Sequence, residues 1–193
     1  MSFPYYIIVA TAHTEYGQDE NASKENVLSD WVSYDLINRL RAEGVECEHV
    51  EIWASSCLDG HSSLDLKVQE INRISERSKK PVLALEVHWN GLNSASGSCV
   101  LFDANSDKSK RIANQMLPTI LKELGRGQHS IGVIPFPSDY RRMALKFLRE
   151  THCPAVIIEV DSIKHFDEFN DNDWLMEKTS KALCMAILGI NSV

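Results

Sequence analysis

His13, His88, Glu159 and Glu25 are the residues of this sequence whose types and settings point to shared chemistry. His13 follows an apolar run at residues 5–10, His88 follows one at 82–87, and Glu159 follows one at 155–158. Each run reads as a strand, and in an open α/β sheet functional groups collect beyond the carboxyl ends of the strands. Glu25 falls in the first turn of the amphipathic stretch after the first run; a helix running back antiparallel to that strand starts from the same rim. Two histidines and one carboxylate with an open fourth position make a hydrolytic zinc site, and a second carboxylate takes a proton from the zinc-activated water. The third ligand is open at this level. Glu86 competes with Glu25, because side chains two apart on a strand share a face and Glu86 therefore points with His88. Asn90, two residues after His88, either touches substrate, braces the site or turns the chain with Gly91. Arg142, next to Arg141, offers a cation for a substrate carboxylate or belongs to a solvated helix face.

The elements that must position these groups alternate. Residues 5–10 (YYIIVA) are aromatic and β-branched on both faces, as a strand buried in a parallel sheet requires. Residues 25–43 carry Leu28, Val32, Leu36 and Leu40 at four-residue spacing, with Val27, Trp31 and Tyr34 widening the stripe, so a helix is predicted, with Ser23 as N-cap and Gly44 as its stop. Strands are predicted at 45–53, 82–87, 97–102 and 155–158. Further helices are predicted around Leu64, Val68, Ile71 and Ile74, and at 106–124, 140–151 and 173–188. The pattern predicts an α/β three-layer sandwich, a mostly parallel central sheet flanked by helices on both faces. No repeat, linker or low-complexity tract divides the 193 residues, so a single catalytic domain over 1–193 is expected, without a separate recognition module.

Composition removes several classes. The formal charge of −7 argues against a general nucleic-acid binder. Cys47, Cys57, Cys99, Cys153 and Cys184 are odd in number and form no CxxC pair, which fits reduced buried thiols rather than a disulfide framework or zinc knuckle. No apolar run reaches the ~18 residues a membrane span needs. The N-terminus lacks the basic and long apolar regions of a signal peptide. His49 lies within the second predicted strand, His61 and His129 sit in polar or glycine-containing loops, and His152 and His165 flank the last strand without a matching partner, so each reads as solvated or structural.

With these residues in place, the chain resembles the zinc-dependent N-acetylmuramoyl-L-alanine amidases of bacterial autolysins and phage endolysins. The resemblance runs through IIVATAH at 7–13, the helix from Glu25 to the glycine at 44, EVHWN at 86–90, the glycine-led GSCVLF at 97–102, and LKFLRETHCPAVIIE at 145–159. Ala12 stands where that family usually has glycine, Glu86 where it has serine, and Cys99 where glutamate is frequent; the Ser-Asn pair expected beyond Glu159 is missing. The resemblance implies one zinc ion held by His13, Glu25 and His88, with Glu159 as general base and then proton donor to the leaving amine. It implies peptidoglycan as substrate, cut between N-acetylmuramic acid and L-alanine; a monomer is expected. Made without a signal, such an enzyme would reach the wall by phage-lysin-like release, or the chain would be an excised domain. The alternatives are a zinc carboxypeptidase or deacylase of related fold, and a non-catalytic wall-binding module. The first would show His-x-x-Glu after the first strand, whereas Glu15 follows His13 one residue too early, and no HExxH helix is present.

Overall fold

The computed structural model of the chain describes residues 3–12, 20–51, 60–90, 97–125, 130–136, 146–163 and 172–191. Strand β1 (Tyr6–Thr11) leads to helix α1 (Glu20–Ala42), β2 (Cys47–Val50), α2 (Gly60–Arg77) and β3 (Val82–Asn90). Then come β4 (Cys99–Asp103), α3 (Asp107–Leu124), β5 (Gly132–Phe136), α4 (Lys146–Glu150), β6 (Ala155–Ser162) and α5 (Asn172–Leu188). The six strands form one sheet in the order β2-β1-β3-β6-β4-β5. Strands β2, β1, β3 and β6 are mutually parallel; β4 runs antiparallel to β6 and parallel to β5.

Both faces of the sheet are covered, giving the three layers expected. Val9, Leu85, Val87 and Ile158 pack with Val32 and Leu36 of α1, Ile112 and Ile120 of α3, and Leu183 and Ile187 of α5. Ile8, Ala10, Ala84 and Ile157 alternate with them and pack with Ile71 and Ile74 of α2 and Phe147 and Leu148 of α4. This two-sided burial is why the central strands read as unbroken apolar runs rather than as an alternation. Ser106 caps α3 by accepting from the Ser109 N–H, and Gly125 closes it in the left-handed conformation, φ 70°.

Several boundaries differ from the sequence expectation. Strands β3 and β6 run past the apolar residues that announce them, to Asn90 and Ser162, because their pairing continues with a register shift beyond His88 and Glu159. His88 and Glu159 therefore lie within paired strands rather than at their ends. Helix α1 begins at Glu20, so Glu25 stands in its second turn and not its first, and Ser23 is inside the helix. Strand β5 was not foreseen: it is a half-exposed edge with Pro135 in it, and edge strands are where proline is tolerated. The helix expected at 140–151 is described only as α4, since 140–145 lie outside the described residues.

Candidate active site

The pairing register builds the site. Ala10 pairs with Glu86, Glu86 with Ile157, and His88 with Glu159, so Glu86, His88 and Glu159 share the sheet face that α2 covers. Cys99 is the partner of Glu159 on the other side. The intervening Val87 and Trp89 point the other way, into the core under α1, and anchor the strand that carries His88.

Glu25 reaches this rim from α1. Its Oε1 accepts from the Trp89 backbone N–H (3.0 Å) and from His88 Nδ1–H (2.8 Å). On the other side of the ring, His88 Nε2 lies 3.2 Å from Glu86 Oε2. Burial alone would lower the pKa of this imidazole, but Glu25 and Glu86 outweigh it and hold the ring up to about 10. Glu86 is itself buried, and Lys67 Nζ donates to its Oε1 (2.8 Å). Burial would raise this carboxyl, yet the Lys67 ammonium and His88 pull it below the usual carboxylate range.

Two further side chains of α1 fix the end of β1. Ser29 accepts from the Ala12 N–H (2.7 Å) and donates to the Val87 carbonyl (2.7 Å), and Asn26 donates to the Ala12 carbonyl (2.9 Å). Both backbone groups of the residue preceding His13 are thus held by the helix that carries Glu25. Opposite, Gly97, with φ 120°, donates its N–H to Asp161 Oδ1 (3.0 Å), and Ser98 donates to the Val160 carbonyl (2.6 Å), fastening these two residues before β4 against β6. The positive φ is one that a side chain would strain.

Of the residues singled out in the sequence, Glu25 and His88 are in hydrogen-bond contact, and Glu159 is in register beside His88. Asn90 ends β3, and its carbonyl accepts from the Ile163 N–H (3.1 Å). His13 and Arg142 lie outside the described residues. Sequence reasoning missed Lys67, Ser29 and Asn26. A signal for Lys67 existed: it lies four residues before Ile71 and seven before Ile74, on the apolar face of α2, where an unpaired ammonium would be expelled.

A second group lies one strand away. Asp30, His49 and Glu51 form a candidate metal-binding triad, the one set of three among the described residues whose ligand atoms fall within 4.8 Å of one another. His49 Nε2 is 2.8 Å from the Thr11 hydroxyl, which also donates to Asp30 Oδ1 (3.2 Å), so this cluster is knit together by a threonine. Burial lowers the pKa of His49 and favours the neutral ring.

The sequence profile of the N-acetylmuramoyl-L-alanine amidase family matches residues 7–188. The chain belongs to that family. The match places this amidase apart from the carboxypeptidases and deacylases weighed above. No curated protein matches its sequence significantly. Among solved structures, it is similar to an N-acetylmuramoyl-L-alanine amidase from Clostridium difficile 630, at 18% identity and TM-score 0.72, covering 97% of this chain and 96% of the other. It is also similar to the catalytic domain of the CD27L endolysin targeting Clostridia difficile, at 20% identity and TM-score 0.73 (97% and 99% covered). A third is the amidase AmiC2 of Nostoc punctiforme, at 13% identity and TM-score 0.67 (97% of each chain). At these identities the likeness establishes the fold.

One property of the amidase rim is open to direct measurement. Burial, with the Glu159 carboxylate adding to it, pushes the Cys99 thiol up to about 12. At pH 8 its thiolate fraction is then roughly one part in 10⁴, against about a quarter for an ordinary thiol. Alkylation of the folded amidase at pH 8 followed by peptide mapping is expected to leave Cys99 unlabelled until denaturant is added; labelling at the rate of a free thiol would contradict this placement.

Proposed function

We propose that this amidase hydrolyses the amide between N-acetylmuramic acid and L-alanine in peptidoglycan using one zinc ion held by His13, Glu25 and His88, with Glu159 as general base. The observation that carries the reading is the meeting of Glu25 Oε1 and His88 Nδ1 at 2.8 Å, across 63 residues of sequence. The donor set fits zinc: an imidazole nitrogen and a carboxylate oxygen side by side, with the other ring nitrogen occupied by a carboxylate, is the arrangement that outer partners impose on metal-binding histidines. Glu25 Oε1 and His88 Nδ1 are the atoms that would hold the ion, together with His13. Zinc supplies there a charge that polarises both water and the scissile carbonyl.

The rest of the work falls to the chain. Glu159, beside His88 in the register, accepts the proton of the attacking water and returns it to the leaving amine of L-alanine. The Trp89 N–H and the second turn of α1 keep the Glu25 carboxylate aimed at the rim. Asn90 and Arg142 are the candidates for holding the stem peptide. Substrate is cell-wall glycopeptide, and no helix among the described residues is long and apolar enough to cross a membrane.

Purified cell walls test the reaction. With the amidase, turbidity falls and new N-terminal L-alanine appears; a chelator stops both, and added zinc restores them. New peptide ends within the stem instead of N-terminal L-alanine would overturn the assigned bond, and undiminished hydrolysis under chelation would overturn the role of zinc.

A further inference from the structure

Glu86 stands out on this rim because a third carboxylate beside Glu25 and Glu159 adds a buried negative charge that the proposed chemistry does not use. Its surroundings show what it does instead. Lys67, Glu86 and His88 are 4%, 3% and 7% exposed, so the three form a row removed from water. Lys67 Nζ donates to Glu86 Oε1 (2.8 Å), and the other oxygen of the same carboxylate faces His88 Nε2 (3.2 Å). Both oxygens are taken, one by an ammonium and one by the imidazole. Lys67 Nζ also donates to the Thr11 carbonyl at 2.5 Å, two residues before His13.

We infer that Lys67 and Glu86 are positioning residues that set His88 for metal binding, Glu86 by holding Nε2 so that Nδ1 faces Glu25, and Lys67 by neutralising Glu86 and tying down the end of β1. The inference rests on zinc lying at Glu25 and His88. A buried ion pair is weak support for stability by itself, since apolar residues of similar volume do as well or better. The orientation of the ring is what an apolar pair could not supply: without an acceptor at Nε2, the imidazole is free to present either nitrogen. Lys67 also keeps Glu86 from serving as a ligand, because the oxygen it binds is no longer a free donor for a cation. The same ammonium spans α2, β1 and β3, so the strand leading to His13 and the strand carrying His88 share one brace.

The test replaces the pair by apolar residues of similar size, Lys67→Met with Glu86→Leu, which leaves no buried charge unmatched. Zinc affinity of the purified chain is measured by competition with a chromophoric chelator, and the His88 ring is observed by ¹⁵N NMR. Outer partners of metal-bound histidines typically contribute 10–100-fold, so zinc binding is expected to weaken by roughly that factor while still saturating at about one ion per chain. In the wild-type zinc form the proton is expected on Nε2, and in the double variant both tautomers appear. Glu86→Gln, which keeps an oxygen able to accept from Nε2–H, is expected to fall between the two and serves as the test should the double variant not fold. Unchanged zinc affinity would make the pair a structural feature only and overturn the inference. Loss of zinc at saturating concentration would make Glu86 a ligand and overturn it equally. His88→Ala, run in parallel, separates the two levels: if it keeps zinc, the metal reading itself fails; if it loses zinc while the double variant binds normally, only this inference fails.

Discussion

Replacing Glu159 by glutamine is expected to lower the rate of wall hydrolysis by about 10²–10⁴-fold, the usual contribution of a general base, while zinc content and thermal stability stay near those of the wild type. The expectation follows from place and chemistry. Glu159 is paired in register with His88 on one side and Cys99 on the other, so it occupies the rim beside the proposed metal without being in the row that Lys67 and Glu86 form. Glutamine preserves the shape and much of the hydrogen bonding but cannot take up a proton. If the glutamate only completed a strand, the substitution would lower the melting temperature more than turnover. A folded, zinc-loaded Glu159→Gln chain with near-native rates would sink the assignment and move the search for the base to Glu86 or Asp161.

Metal analysis of two histidine variants should give opposite answers. His88→Ala is expected to reduce zinc from about one ion per chain to near none and to abolish hydrolysis, because a three-residue site that loses one protein ligand rarely retains its ion. His49→Ala, in the Asp30, His49 and Glu51 triad, is expected to leave both zinc content and hydrolysis unchanged, since the Thr11 hydroxyl already accounts for the closeness of His49 and Asp30. The reverse pattern, zinc lost with His49 and kept with His88, would place the ion at the triad and overturn the ligand assignment.

Much of this was legible in the sequence because burial on both faces writes the central strands as apolar runs. Val82 to Val87 and Ala155 to Ile158 announced β3 and β6, and the polar residues that follow them, His88 and Glu159, drew attention by breaking those runs. The same logic hid the true strand ends. Pairing between β3 and β6 continues through a register shift to Asn90 and Ser162, and backbone pairing leaves no mark on side-chain hydropathy. β5 escaped because four half-exposed residues and an exposed proline lack both the length and the periodicity of a strand signal. In α1, Ser23 has the chemistry of a cap but lies inside a helix that starts at Glu20; a polar stretch offers several residues able to cap, and only tertiary contacts choose among them. Lys67 was overlooked because the apolar positions of α2 suffice to identify a helix, and the exception on its buried face, not the rule, carried the functional information.

The borders of the sheet bear on how the chain behaves in company. An unpaired strand edge is a template on which a neighbouring chain can add its own strand, and long flat edges are where assemblies of the wrong kind begin. Here the outer strands are β2, four residues long, and β5, five residues long. Pro135 takes one donor out of the β5 ladder, and on β2 the carboxylate of Glu48 is engaged by Arg77 of α2 (2.8 Å), which sets charge beside the backbone. Neither border gives a foreign strand much to grip. Short edges of this kind, one interrupted by proline and one flanked by charge, are those on which strand addition between copies is disfavoured.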